Sequence, residues 1–182
     1  MREITEIILH CTATRPDWWA GRTSAEKLAE VRRWHVTGNG WRDIGYHYLI
    51  DRDGTVVPGR PLEQTGAHVA GRNTGTIGIS LFGGHGSAAS DAFSDHFTPE
   101  QDRALRALVQ DLRRRFPAVA RVSGHNQYAA KACPGFSVPQ WIAGPAQASA
   151  PTSGPTPVAA APAGQAFGWL FGLLARLFGA RT

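Results

Sequence analysis

Three side chains scattered along this chain could act together as one chemical centre. His10 ends a β-branched apolar run, His125 follows the strand-like stretch Arg121–Ser123, and Cys133 precedes Pro134-Gly135. Two imidazoles and a thiolate with a fourth position open form the donor set of a catalytic zinc ion. One thiolate leaves such a centre net positive. It would polarise a carbonyl and bring a bound water towards neutral pKa. The spacing is not local, since the chain has no HExxH and no paired CxxC. Taken singly, each histidine also reads as a polar residue with satisfied hydrogen bonds.

Tyr46 and Lys131 are the candidate proton and oxyanion groups. Lys131 stands two residues before Cys133, so an extended backbone there puts both side chains on one side. A lysine so placed could stabilise a negative tetrahedral oxygen, and a tyrosine hydroxyl could hydrogen-bond the same centre. The competing readings are strand packing of Tyr46 with Tyr48 and a solvated loop charge for Lys131. Cys11 is excluded as a ligand by alternation, because neighbours in a strand face opposite sides. It reads instead as a small buried hydrophobe. A Cys11–Cys133 disulfide is the alternative, disfavoured for a chain made in a reducing compartment.

The elements that must position these residues follow from period and capping. Glu3–His10 reads as a buried strand and Tyr46–Ile50 as another. Asp53-Gly54 turns the chain into Thr55–Pro58, and Thr76–Phe82 alternates Ile77, Ile79 and Leu81 with small residues. Thr23-Ser-Ala-Glu26 is a capping box opening a helix with Leu28, Val31 and Trp34 on one face. Thr98-Pro-Glu-Gln101 starts a second helix, running to Arg115 with Leu105, Leu108, Val109 and Leu112 inward. Ser137–Ile142 reads as a short helical turn. The fold class expected is α/β, a central mixed sheet of about five strands flanked by helices.

Composition bounds the rest. A chain of 182 residues can bury a proper core, and two cysteines exclude a disulfide scaffold. A net charge of +5 suits an anionic partner without implying nucleic acid, and none is expected. Lysine occurs only at Lys27 and Lys131. The charged N-terminus lacks the apolar core of a signal peptide, which points to synthesis in the cytoplasm. Residues 144–165 are almost entirely Ala, Pro, Ser, Thr and Gly and read as a disordered linker. They separate a domain over 1–143 from an apolar segment over 166–182.

The stretches Ile8-Leu-His-Cys-Thr-Ala-Thr14, Gly45-Tyr-His-Tyr-Leu-Ile50, Asp53-Gly-Thr55, Gly66-Ala-His68, Ile77-Gly-Ile79 and Lys131-Ala-Cys-Pro-Gly-Phe136 resemble the zinc-dependent N-acetylmuramoyl-L-alanine amidases. The likeness is to the T7 lysozyme-like branch, which shares a fold with peptidoglycan recognition proteins. It runs in order over nearly all of Met1–Ile142. The resemblance implies that His10, His125 and Cys133 bind Zn2+ and that Tyr46 and Lys131 assist catalysis. His68 and Asn73 would border the groove as substrate contacts. The substrate implied is the muramyl peptide of peptidoglycan, cut between N-acetylmuramic acid and L-alanine. A wall-degrading enzyme without a signal peptide fits a phage endolysin, acting after release; a bacterial autolysin or recycling amidase is the other source. The rival from another class is a non-catalytic peptidoglycan-binding or regulatory protein on the same fold. Such recognition proteins lack the cysteine ligand, which is here at Cys133. Trp18, Trp19, Trp34 and Trp41 would line a glycan-stacking groove or serve as core.

On a helix, the C-terminal segment places Phe167, Leu170, Phe171, Leu174, Leu177 and Phe178 on one bulky face, with Gly168, Gly172, Ala175 and Gly179 opposite. Fifteen residues at ~1.5 Å each span roughly 22 Å, short of the ~30 Å hydrocarbon core. The expectation is an interfacial helix, with Trp169 at headgroup level and Arg176 and Arg181 meeting anionic lipid. Docking on the domain or on a second copy of it, helped by the Gly168-xxx-Gly172 spacing, is the competing reading.

Overall fold

In the computed structural model, which describes residues 2–146, five strands and four α-helices follow in order. They are β1 (Glu6–Cys11), α1 (Ser24–Arg33), β2 (Tyr48–Ile50), β3 (Val56–Pro58), β4 (Thr76–Leu81), α2 (Phe93–His96), α3 (Pro99–Arg115), β5 (Arg121–Gly124) and α4 (Val138–Ala143). A π-helical turn, Trp34–Gly38, extends α1, and a 3-10 turn, His125–Gln127, follows β5. The sheet order is β3-β2-β4-β1-β5. β1 runs parallel to β4 and β5, β2 runs parallel to β4, and only β3 is antiparallel, to β2 across the Asp53-Gly54 turn.

β1 and β4 are buried at every residue, as expected of parallel strands covered on both faces. Their two faces differ chemically. Ile7, Leu9 and Cys11, with Ile77, Ile79 and Leu81, meet Leu105, Val109 and Leu112 of α3 in the main core. Each such side chain, fully buried, stabilises the fold by about 1.5–3 kcal/mol. The opposite face carries Glu6, Ile8 and His10 beside Thr76, Gly78 and Ser80. Polar groups on a buried face need partners, and this is where the site lies.

Both capping boxes form, at Thr23/Glu26 and Thr98/Gln101. Gln101 does more than cap: its Nε2 donates to Phe82 O at 2.9 Å and to Ile50 O at 3.2 Å, tying α3 to the ends of β4 and β2. Asp102, also buried, accepts the Trp141 indole N–H at 2.5 Å and so fixes α4. Leu28 and Val31 of α1 pack with Ile44, Leu49 and Phe82 in a second core.

The differences from the sequence reading lie mainly at element ends. β1 starts later than Glu3 and closes on Cys11 rather than His10. Tyr46 precedes β2, although the pairing continues irregularly through His47 N–H to Gly78 O at 2.8 Å. Leu108 is only partly buried, because Leu105, Val109 and Leu112 fill the stripe of α3 that faces the sheet. The short helix Phe93–His96 has too few residues for a periodic signal.

The chain divides into Met1–Ala150 and Pro151–Thr182. The apolar segment 166–182, and the expected linker beyond residue 146, lie outside the described residues. Among the described residues no helix is long and apolar enough to cross a membrane.

Candidate metal centre and active-site cleft

Strand register brings the two histidines together. Leu9 of β1 pairs with Gly124 of β5, so the next residues, His10 and His125, emerge side by side at the carboxyl edge of the sheet. Open parallel sheets place their ligands at that edge. The two rings lie 4.8 Å apart, centroid to centroid. Cys133 returns from the following loop, with its Sγ 3.7 Å from His10 Nδ1. The loop is pinned by Asn126 N–H donating to Cys133 O at 2.7 Å, and Cys11 N–H donates to Cys133 Sγ at 3.3 Å.

The donor atoms of His10, His125 and Cys133 all lie within 4.8 Å of one another. Zn–N of about 2.0 Å and Zn–S of about 2.3 Å at a tetrahedral angle put nitrogen and sulfur roughly 3.5 Å apart. The 3.7 Å separation of His10 Nδ1 and Cys133 Sγ fits that. Charge state fits as well. Burial, with His68 and His125 nearby, holds His10 well below the ordinary imidazole range, and burial with Lys131 lowers His125. Both rings are neutral, the form that ligates a metal. The Cys133 thiol is pushed up by its contact with the Cys11 thiol and by burial, so a metal entering here must displace a proton.

Around this centre a cleft of about 570 Å³ opens, lined by Tyr46, His35, Trp41, His68, Tyr128 and Lys131 among others. The Tyr46 ring sits 5.1 Å from that of His10. The side chain is half-buried, and desolvation, with the Cys133 and Cys11 sulfurs nearby, raises the phenol above its ordinary range. It therefore stays a hydrogen-bond donor at any working pH. Lys131 is exposed on the cleft wall.

Residues 1–136 match the family model described as N-acetylmuramoyl-L-alanine amidase. This chain belongs to that amidase family. The amidase is similar to the endolysin of Escherichia phage T7, 39% identical over 141 residues that span 77% of this chain and 87% of the relative. It is similar also to the endolysin of Enterobacteria phage K11, 36% identical over 141 residues, 78% of this chain and 87% of the relative. Among solved structures it matches the N-acetylmuramoyl-L-alanine amidase LysC from Clostridium intestinale URNW at a TM-score of 0.62 and 26% identity, over 78% of this chain and 85% of that one.

His68 and Asn73 border the amidase cleft, as expected from the sequence, and both are also engaged within the protein. Asn73 Oδ1 accepts the backbone N–H of His68 at 2.8 Å and of Val69 at 2.9 Å, and His68 Nδ1 lies 3.1 Å from His10 Nε2. Of the four tryptophans named for a groove, Trp41 lines the cleft; Trp18 and Trp34 pack on the second core, and Trp19 stacks on Trp18. Cys11 joins the main core as alternation demands, yet its backbone touches the Cys133 sulfur.

Two cleft residues went unread. His35 Nδ1 accepts Gly45 N–H at 3.0 Å, which leaves its Nε2–H as the free donor in the cleft. Tyr128 anchors to Glu6. Neither carries a local motif, since each partner is distant in sequence.

Proposed function

We propose that this protein is a phage-type endolysin whose zinc centre is formed by His10, His125 and Cys133, and that it hydrolyses the amide between N-acetylmuramic acid and L-alanine. The convergence of those three side chains beside Tyr46 and Lys131, within a chain of the amidase family, carries the reading. Bound zinc supplies an acidified water and Lewis-acid polarisation of the lactyl carbonyl. The Lys131 ammonium opposes the negative charge that develops on that oxygen, and the Tyr46 hydroxyl donates a hydrogen bond to it. His35 and Trp41, which line the cleft beside Tyr46, orient the muramyl peptide. The domain over 1–143 holds all of this machinery.

The deciding experiment measures zinc content and turnover of purified peptidoglycan, for wild type and Cys133→Ala. Release of new L-alanine amino termini without new reducing ends identifies amide cleavage. Binding without turnover by the wild type would make the protein a recognition module instead.

For the segment 166–182 we propose contact with anionic membrane, on its composition alone: a bulky apolar face, Trp169, and Arg176 and Arg181. The linker over 144–165 then lets the amidase reach the wall while the tail holds lipid.

A further inference from the structure

A metal-binding histidine must present a bare nitrogen to the metal, so its other nitrogen must carry the proton. In this protein a hydrogen-bond chain runs from His10 away from the centre and into the backbone. His10 Nε2 lies 3.1 Å from His68 Nδ1, and His68 Nε2 lies 3.2 Å from Thr76 Oγ1. Thr76 Oγ1 in turn reaches Arg72 O at 2.9 Å and Asn73 O at 3.1 Å.

The far end of this chain is fixed. Carbonyl oxygens only accept, so the single Thr76 hydroxyl proton points at them. The Thr76 oxygen must then accept from His68 Nε2–H. A neutral imidazole has one N–H, so His68 Nδ1 is bare and accepts from His10 Nε2–H. His10 Nδ1 is thereby left bare, and that is the nitrogen facing Cys133 Sγ. If the Thr76 proton turned to His68 instead, every link would reverse. His10 would then carry a proton on Nδ1, against the metal position.

The His68 ring is also held by its surroundings. It is buried, 7% exposed, and packs against two glycines. A Cβ on Gly66 would lie 2.6 Å from His68 Cδ2, and one on Gly78 would lie 2.6 Å from both Cδ2 and Cγ. Only glycine at these positions lets the ring lie flat across β4 in reach of both His10 and Thr76.

We infer that His68 and Thr76 are positioning residues that set the His10 tautomer before any metal arrives, with backbone carbonyls as the fixed end of the relay. The inference rests on reading His10 as a metal ligand, and it makes His68 a support for that ligand more than a substrate contact.

Thr76→Val keeps the shape and removes the hydroxyl, while Thr76→Ser keeps the hydroxyl. Two measurements test the relay. Histidine nitrogen NMR on the zinc-free protein reads the tautomer directly. The wild type and Thr76→Ser should show His10 protonated on Nε2, and Thr76→Val should shift it to Nδ1. Chelator competition then reads zinc affinity, expected to fall about 10- to 100-fold in Thr76→Val and to stay near wild type in Thr76→Ser. Nδ1-protonated His10 in the zinc-free wild type would overturn the relay, as would wild-type zinc affinity in a folded Thr76→Val. Should Thr76→Val fail to fold, the wild-type spectrum alone decides. A wild-type protein that takes up no zinc defeats the amidase reading instead, and the tautomer spectrum still judges the relay.

Discussion

The Glu6 carboxylate, at the start of β1, accepts the hydroxyl of Tyr128 in the loop that carries Lys131 and Cys133. It also accepts Ser123 Oγ–H at 2.5 Å. Glu6 shares a face of β1 with His10, so one strand supplies a candidate ligand at one end and the tether of the loop that carries Cys133 at the other. The Arg72 guanidinium sits 4.4 Å from the centre of the Tyr128 ring and covers it.

Tyr128→Phe should therefore loosen the loop that carries Lys131 and Cys133. Losing a hydrogen bond to a buried carboxylate costs about 1.5–3 kcal/mol. Thermal unfolding should show a lower midpoint, and zinc titration a weaker site. An unchanged midpoint and unchanged zinc binding would show that this tether does not hold the loop.

Cys133→Ala and His125→Ala should each abolish peptidoglycan hydrolysis and lose stoichiometric zinc, since a three-ligand site has none to spare. Cys11→Ser should keep both properties. Its side chain packs with the apolar core, a serine hydroxyl can take the place of the thiol beside Cys133, and the backbone N–H that donates to the Cys133 sulfur survives substitution. Zinc loss in Cys11→Ser with zinc retained in Cys133→Ala would reverse the ligand assignment.

Lys131→Ala should retain zinc and lower kcat about 10²- to 10³-fold, the typical cost of one oxyanion-stabilising group. Tyr46→Phe should also keep the metal and lower turnover. Its burial makes the hydroxyl a permanent donor, so the wild-type rate should show no loss from tyrosine ionisation as pH rises to 9 or so. Steady-state kinetics beside metal analysis checks both variants; wild-type rates in Lys131→Ala would return that residue to the solvent.

Acid should destabilise the fold through its buried histidines. Burial lowers His47 to about 4 and His68 to about 3, against about 6.5 in an unfolded chain. Between those values the unfolded state binds protons that the folded state refuses, so stability rises with pH. It is complete above about pH 6.5 and is lost as pH falls towards the folded values, with His47 worth on the order of 3 kcal/mol. Denaturant titrations of the zinc-free protein from pH 7 to pH 4 should show this decline, and His47→Gln should flatten it. A flat profile in the wild type would mean that these rings are hydrated.

A chain ended at Gly144 should hydrolyse soluble peptidoglycan at the full-length rate but lose flotation with anionic liposomes. Equal flotation of the two chains, or none by either, removes the membrane role of residues 166–182.

What could be read from the sequence is what short-range physics controls. The Thr23/Glu26 and Thr98/Gln101 boxes each close within one helical turn, and both formed as written. Alternation in β1 already separated His10 from Cys11, because successive side chains leave a pleated strand on opposite faces. The motif around Lys131-Ala-Cys-Pro carried the family, and with it the fold class. The tertiary structure alone decided the partnerships. Sheet order sets β5 beside β1, and the Leu9–Gly124 register then places His125 next to His10. His68 borders the cleft, but its sequence neighbourhood says nothing of a ring lying over Gly78 and bonded between His10 and Thr76. Glu6 and Tyr128, and His35 and Gly45, are likewise joined only by the folded path of the chain. A hydrogen bond depends on atoms a few ångströms apart, and between residues distant in sequence that proximity exists only once the sheet has assembled.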